Sequence, residues 1–354
     1  MASPPLRSHP GPAKEVLLAE PWFAGSHRAW AEGLQRHSRH HISLLSSEPM
    51  GWRATLERSA AILAARARRP PDLLLASSMM DLTDFIERSH FGSVPSLLYL
   101  HENQLTYDRT KPDLIRGNVN WRSARAADRV AFNSRFHLED FIAALPMLGI
   151  GDADTETIRQ KSVVLPVGLD LTGLERDDRD AERPVVLWNH RWETDKDPDA
   201  FVDAVLEIAH LPFRLFLTGE GAALTRLLPV LTARFGDRII HAGQAAEAEY
   251  RALLSRADVV VSTARQEFFG VSIAEAMAAG AVPLVPHRLA YPELVGPALV
   301  GCLYEPGTLS ERLAGLVTEH GERETYRPLA RAAGQRFTWA EVAPGYDALI
   351  DSMV

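Results

Sequence analysis

Short apolar runs and amphipathic stretches alternate along nearly the whole chain. In the first half the runs are Val16–Ala19, Ile42–Leu45, Leu73–Ala76, Leu97–Leu100, Val130–Phe132 and Val163–Val167, with helix-period patterns at 27–37, 53–68, 82–89, 113–127 and 134–145 between them. Each run is continuous rather than alternating and rich in Leu or β-branched residues, which predicts strands buried on both faces. Strands that alternate with helices predict a parallel sheet covered on both sides. The chain then crosses Leu169–Arg183, whose centre Glu175-Arg-Asp-Asp-Arg-Asp180 offers nothing to bury. Beyond it the alternation restarts, with strands predicted at Val185–Trp188, Arg214–Thr218, Arg238–His241, Asp258–Ser262 and Val282–Val285. Asp197-Pro198 predicts a side-chain N-cap followed by proline at the first helical position, and Gly280 a helix end after Ala278-Ala279.

The pattern predicts an α/β protein of two doubly wound, Rossmann-like domains. Residues 1–13 read as a disordered tail, 14–170 as the N-terminal domain, 171–183 as a linker and 184–337 as the C-terminal domain. Residues 338–354 read as a C-terminal helix with the option of crossing back to the N-terminal domain. Open α/β sheets bind ligands at the carboxyl ends of their strands, so the expected site is the cleft between the domains.

Composition narrows the class. The chain has 354 residues, 46% of them hydrophobic, which suffices for two packed cores. The single cysteine, Cys302, excludes a disulfide scaffold and a Cys-rich metal site and fits a reducing compartment. No apolar run approaches the ~18 residues of a membrane span, and Met1–Lys14 has no apolar core of a signal peptide, so a cytoplasmic protein is expected. The net charge of −8 argues against indiscriminate nucleic-acid binding, but the charge is uneven. Between Arg109 and Arg135 lie seven bases (Arg109, Lys111, Arg116, Arg122, Arg125, Arg129, Arg135) against Asp113 and Asp128. This is either an anion-facing surface or a solvated helix face laced with salt bridges.

Candidate chemistry sits in the strand-to-helix loops. Glu267-Phe-Phe-Gly-Val-Ser-Ile-Ala-Glu275 places two carboxylates around a helix start, where Gly270 admits a phosphate to free backbone N–H groups. Glu275 rises only ~7 Å into that helix and reaches a sugar hydroxyl beside the phosphate. Trp188-Asn-His-Arg-Trp-Glu-Thr-Asp-Lys-Asp-Pro198 offers Arg191 and Lys196 for the two charges of a diphosphate. In Leu217-Thr-Gly-Glu-Gly221 and Ala24-Gly-Ser-His27, the glycines Gly219, Gly221 and Gly25 let backbone approach a ligand. Tyr99-Leu-His-Glu-Asn-Gln-Leu-Thr-Tyr107 is a polar cluster that orients a sugar or an acceptor hydroxyl, or else a capped loop. Asn133-Ser134 ends another strand, with an N-cap as the equal alternative. Metal signals are poor: thirteen histidines include no H-E-x-x-H, Asp152-Ala-Asp154 reads as loop, and His37, His40 and His41 read as surface residues.

The Arg191/Lys196 loop, the Gly219-Glu-Gly221 turn and the Glu267/Glu275 pair resemble the family-four retaining glycosyltransferases of GT-B architecture, which use nucleotide-diphosphate sugars. More narrowly, Tyr99-Leu-His-Glu-Asn-Gln-Leu105, His190-Arg-Trp-Glu-Thr-Asp-Lys-Asp-Pro198 and Ala257-Asp-Val-Val-Val-Ser-Thr-Ala-Arg-Gln-Glu-Phe-Phe-Gly270 resemble the tRNA-queuosine α-mannosyltransferase family, from about Val16 to the C-terminus. The resemblance implies transfer of mannose from GDP-mannose to the cyclopentene hydroxyl of queuosine in the anticodon of tRNA(Asp), with retention and by front-face attack. It assigns Arg191 and Lys196 to the diphosphate, Glu275 to the ribose, Glu267 to the sugar hydroxyls and His101 to a place beside the transferring sugar. Gly25, Ser26, Asn133, Gly219, Gly221, Phe269, Gly270 and Val271 complete the expected donor site. His27, Glu102, Asn103, Gln104, Arg116, Arg122, Arg125 and Arg129 form the expected acceptor side. No metal or other cofactor and no membrane are expected, and the oligomeric state is left open. The chain departs from the animal members in lacking a long low-complexity insertion between its halves, and in its acidic charge. A transferase acting on a small molecule or glycan, a sugar-nucleotide epimerase and a non-catalytic nucleotide- or tRNA-binding protein are the alternatives.

Overall fold

The computed structural model describes residues 11–108, 110–174 and 182–354. Most of the expected tail, Arg109 and the charged centre of the expected linker lie outside the described residues.

Two six-stranded sheets, parallel throughout, form the frame. The first contains β1 (Glu15–Glu20), β2 (His41–Ser46), β3 (Leu73–Ser77), β4 (Ser96–Leu100), β5 (Arg129–Phe132) and β6 (Ser162–Val164), in the order β2-β1-β3-β4-β5-β6. Its helices are α1 (Gly25–His37), α2 (Trp52–Ala64), α3 (Leu82–Ser89), α4 (Leu114–Ala126), α5 (Arg135–Ala144) and α6 (Asp152–Lys161). The second contains β7 (Val185–Trp188), β8 (Arg214–Thr218), β9 (Ile239–Gly243), β10 (Val259–Val261), β11 (Val282–Pro286) and β12 (Leu303–Tyr304), in the order β12-β11-β10-β7-β8-β9. Around it lie α7 (Pro198–Glu207), α8 (Ala222–Phe235), α9 (Glu247–Arg256), α10 (Val271–Ala278), α11 (Tyr291–Val295), α12 (Leu309–Thr318) and α13 (His320–Gln335), and α14 (Trp339–Met353) ends the chain. The strands β3, β4, β7 and β11 are buried at every position, as continuous apolar runs require, whereas the edge strand β9 alternates and the edge strand β2 buries only Ile42 and Leu45.

Three local expectations are corrected. Asp152 and Asp154 are not loop: they occupy the first turn of α6, where carboxylates suit the helix dipole. Asp197 precedes α7, but its side chain makes no cap; it adopts φ 53° and pairs with Arg265 at 2.8 Å. His40 is buried rather than at the surface, accepting from the Lys14 backbone N–H at 3.2 Å and facing the Asp347 carbonyl at 3.3 Å.

That contact belongs to the seam made by α14, which packs on α1. Leu169 donates its N–H to the Phe337 carbonyl at 2.7 Å, so the outgoing and returning chain segments run side by side. The Trp339 indole then fills a slot between Gly33 and Gly168, where a β-carbon at either position would stand 2.2–2.3 Å from the ring. Further along, Tyr346 accepts from Trp30 Nε1 and donates to the Pro166 carbonyl, both at 3.0 Å. The carboxyl ends of the two sheets also touch directly. Glu293 accepts from the Arg135 and Phe136 N–H groups at 3.0 and 3.1 Å, capping α5 from the opposite domain, and Ser134 Oγ donates to the Phe268 carbonyl at 2.5 Å.

Candidate active site

Between the sheets lies a cleft of two joined compartments. The smaller, about 340 Å³, is lined from the first domain by Ser26, His27, His101 and Glu102 and from the second by Lys196 and Glu267. The larger, about 800 Å³, extends between Gly25, Ala245, Tyr250 and Arg251. Ser26, Val271 and Glu275 line both compartments.

The second domain supplies the charge. β7 ends at Trp188, and the next residues turn back so that Lys196 Nζ lies 3.0 Å from Glu267 Oε2 and 3.1 Å from the Gln266 carbonyl. The Asp195 carbonyl accepts from the Arg265 and Gln266 N–H groups, tying this loop to the one after β10. Burial pulls the Lys196 pKa down, but the Glu267 and Asp195 carboxylates outweigh it and hold the ammonium charged. Burial likewise pushes Glu267 up, and Lys196 overrides it, so the carboxylate stays ionised. The pair is therefore a preformed, charged couple at the cavity wall. Arg191 reaches over the mouth, more than half exposed, 3.1 Å from Asp195 and 3.3 Å from the Tyr107 hydroxyl of the first domain. Gly270, at φ 100°, immediately precedes α10; with Val271 and Ser272 it lines the cavity, so the helix N-terminus, whose first N–H groups have no intrahelical partners, borders it. Behind them the buried His190 meets Ser272 Oγ at 3.2 Å, and burial followed by the Lys196 charge drives its pKa to about 3, so it is neutral.

Glu275, one and a half turns into α10, accepts from the Tyr250 hydroxyl at 2.9 Å, and Asn189 donates to that hydroxyl at 3.1 Å. Burial lifts the Glu275 pKa to about 7. A carboxylate so placed accepts hydrogen bonds from a vicinal diol beside the helix terminus.

The first domain contributes a ring cluster. His101 follows β4 and stacks near His27 with centroids 4.0 Å apart; Trp30 and Tyr99 wall it from behind at 4.7 and 4.8 Å. Glu20, fully buried at the end of β1, accepts from the Trp22 N–H at 2.8 Å and faces His27 Nδ1 at 3.2 Å and His101 Nε2 at 3.7 Å. Burial, then the neighbouring histidines, push His101 well below the ordinary range and keep it neutral. Burial would lower His27 too, but Glu20 outweighs it and raises its pKa. Among the described residues, Glu20, His27 and His101 form a group whose ligand atoms all lie within 4.8 Å of one another.

The other sequence-predicted residues divide. Gly25, Ser26, His27, Glu102, Asn133, Phe269, Gly270 and Val271 line the cleft, although the Asn133 amide is engaged by the His101 carbonyl and His137 Nδ1. Gly219 and Gly221 do not. A β-carbon there would meet the His190 and Trp192 carbonyl oxygens at 2.4 and 2.6 Å, so these glycines admit the Arg191 loop rather than a ligand. Asn103 and Gln104 are also displaced from the acceptor role. Both are buried: Asn103 donates to Asp140 at 3.0 Å and accepts from the Leu105 N–H, and Gln104 donates to Glu102 at 2.8 Å, so they brace the loop. Nor do the arginines form one surface. Arg116 lies in the first turn of α4, Arg122 pairs with Asp81 at 3.3 Å, Arg125 ends the helix and Arg129 opens β5 at the far end of the sheet, donating to the Lys161 carbonyl. Sequence reasoning missed Glu20, an acid closing an apolar strand at its carboxyl end, and gave no role of their own to Asn189 and His190, which stand in the quoted Trp188–Pro198 string, or to Tyr250.

Two facing parallel α/β sheets with a cationic, helix-terminated pocket on the second and a histidine wall on the first define a GT-B glycosyltransferase. HepE from Anabaena, crystallised with UDP and glucose, superposes with a TM-score of 0.71 at 19% identity over 96% of this chain and 100% of its own. Sucrose-phosphate synthase from Thermosynechococcus elongatus does so with a TM-score of 0.76 at 18% identity over 96% and 98%. Residues 175–335 match the family of glycosyl transferases group 1, and residues 15–169 match the N-terminal family of tRNA-queuosine alpha-mannosyltransferase. The Drosophila melanogaster tRNA-queuosine alpha-mannosyltransferase is 31% identical over 310 residues, 79% of this chain and 81% of the fly protein. The chain belongs to the tRNA-queuosine α-mannosyltransferase family. Among the described residues, no helix is long and apolar enough to cross a membrane.

Proposed function

We propose that this glycosyltransferase moves mannose from GDP-mannose to the cyclopentene hydroxyl of queuosine in the anticodon of tRNA(Asp), with retention at the anomeric carbon. The observation that carries the reading is the Lys196–Glu267 couple beside the α10 N-terminus, directly across the cleft from His101. Diphosphate departure places negative charge on the phosphates and positive charge on the sugar. Lys196, Arg191 and the first N–H groups of α10 meet the former, each well-placed donor contributing about 3 kcal/mol. These cations do the work that a divalent ion does in other transferases, so no metal is required in this reading. Glu267 accepts from sugar hydroxyls, Glu275 with Tyr250 holds the ribose in the larger compartment, and neutral His101 lies against the sugar without repelling the developing cation. The acceptor hydroxyl enters on the same face as the departing diphosphate, whose oxygen takes the proton.

The kinship with the fly enzyme supports the queuosine acceptor. The test is a transfer assay with GDP-, UDP- and ADP-sugars against queuosine-containing tRNA(Asp), queuosine-free tRNA and the free nucleoside. Mannosylation of the queuosine-containing tRNA alone, from GDP-mannose, is the expected result. Consumption of the donor without acceptor, or equal use of a free nucleoside or glycan, overturns it.

A further inference from the structure

The lip of the smaller compartment carries a surface that the transfer chemistry does not use. Trp52 opens α2, half-buried, and its indole N–H donates at 3.4 Å to Glu102, a carboxylate lining the transfer cavity. The Arg116 guanidinium lies 4.1 Å from the centroid of the indole ring, fixed by Asp113 at 2.7 Å. Beside Arg116 in the same turn of α4, Leu114 and Ile115 are 49% and 82% exposed; Ile115 is the most exposed large apolar side chain among the described residues. Exposed Arg53 follows Trp52, and exposed Lys111 precedes the turn.

We propose that Trp52, Leu114, Ile115 and Arg116 form a stacking platform for an unpaired nucleotide next to the nucleoside that enters the cavity. The inference rests on the proposed RNA acceptor and adds how its strand is held. A single exposed apolar side chain is ordinary, but Leu114 and Ile115 are adjacent and lie in the same helical turn as the guanidinium that covers Trp52, so the apolar surface is contiguous with the lip. Charge then bears on the occupant. Arg53 and Lys111 are exposed cations beside the platform, Arg116 and Asp113 form a pair without net charge, and Glu102 is held toward the protein by Trp52 and Gln104. Apolar and aromatic faces interleaved with cations suit a single-stranded nucleic acid, whose bases stack while its phosphates meet the cations. A rigid duplex stem presents no free base face, so the platform serves a loop whose bases splay outward. The link from Trp52 through Glu102 to the cavity places a stacked base one side chain from the transfer site. This arrangement makes recognition local to the loop and independent of the dispersed arginines further along α4.

The test measures binding of a labelled anticodon stem–loop RNA by anisotropy, without donor, beside GDP affinity by calorimetry. Trp52→Ala and Ile115→Asp are each expected to weaken RNA binding about tenfold. Trp52→Phe should keep most of it, and GDP affinity should not move. Ile115→Asp alters an 82% exposed side chain, so it separates loss of contact from loss of fold if Trp52→Ala is unstable. RNA binding unchanged in both variants overturns the platform. So does a wild-type protein that binds no RNA, or one that self-associates until Ile115 is changed. If the variants lose RNA binding while the wild-type enzyme transfers no sugar to queuosine, the platform stands and the proposed acceptor falls.

Discussion

Glu275 turns nucleotide affinity into a function of pH near neutrality. Its carboxyl lies where a ribose diol would meet α10, and burial raises its pKa to about 7. A diol donates to the ionised form and not to both oxygens of the neutral acid, so binding favours release of the proton. From pH 8 to pH 6 the ionised fraction falls from about nine-tenths to about one-tenth, a tenfold loss of affinity or ~1.4 kcal/mol. GDP-mannose is the right titrant, because its diphosphate is esterified at both ends and does not change charge in this range. Calorimetry at pH 6, 7 and 8 should show affinity rising with pH in the wild type. Glu275→Gln removes the titration, and its profile should be flat. His27 has the opposite sign: Glu20 raises its pKa, so its imidazolium favours an anionic ligand at low pH, and any residual slope in Glu275→Gln should fall with rising pH. A wild-type affinity that is flat from pH 6 to 8, or equally steep in Glu275→Gln, refutes the assignment of Glu275 to the nucleotide.

Arg191→Ala and Lys196→Ala should each lower kcat/KM at least 10²-fold in the transfer assay, since both act on charge developing at the diphosphate; the thermal melt should be unchanged for exposed Arg191 and lowered for Lys196, whose loss strands the buried Glu267 carboxylate. Tyr250→Phe removes the donor to Glu275 and should weaken GDP binding severalfold in calorimetry, with a smaller effect on kcat. Added EDTA should leave initial rates unchanged; a large loss would show that a metal serves the reaction. Gly33→Ala forces a methyl to within 2.2 Å of the Trp339 ring and should destabilise the protein by about 1–3 kcal/mol in denaturant melts, with GDP affinity retained in the folded fraction.

Strands were legible because burial on both faces leaves short, continuous runs rich in Leu and β-branched residues, too short for a buried helix and bounded by polar loops. Elements that bury little were not. α6 buries only Ile158, and β12 has two residues, so neither leaves a period to detect. The charged loops after β7 and β10 were legible for a related reason: Lys, Arg and Glu clustered at strand ends have no packing role to explain them. Glycine and amide residues misled. A glycine marks a close approach without saying what approaches, and at Gly219 and Gly221 it is the Arg191 loop. Asn103 and Gln104 are polar because their loop needs internal hydrogen bonds, a need that a polar string shares with ligand contact. The arginine cluster dissolved because counting charge along a chain ignores helical geometry. Arg116 and Arg125 are nine residues apart on α4, about half a turn around the axis, and point away from each other. Asn189 stood inside the legible loop after β7, where its charged neighbours drew the assignment, and Tyr250 lies on α9 with no pattern that singles it out.

The crossing of α14 has a consequence for how the molecule comes into being. Trp30 and Tyr99, which wall His101 from behind, are themselves covered by Tyr346, and the slot between Gly33 and Gly168 waits for Trp339. A ribosome makes both residues well after the first domain. The first domain therefore emerges from the exit tunnel about 170 residues before Trp339 is made, with a wet aromatic face where His101 will stand. Only when α14 is free can that face close. The setting of His101 is thereby tied to α14: a polypeptide stalled before Trp339 has both sheets and all the charged loops, yet lacks the buttress behind the histidine.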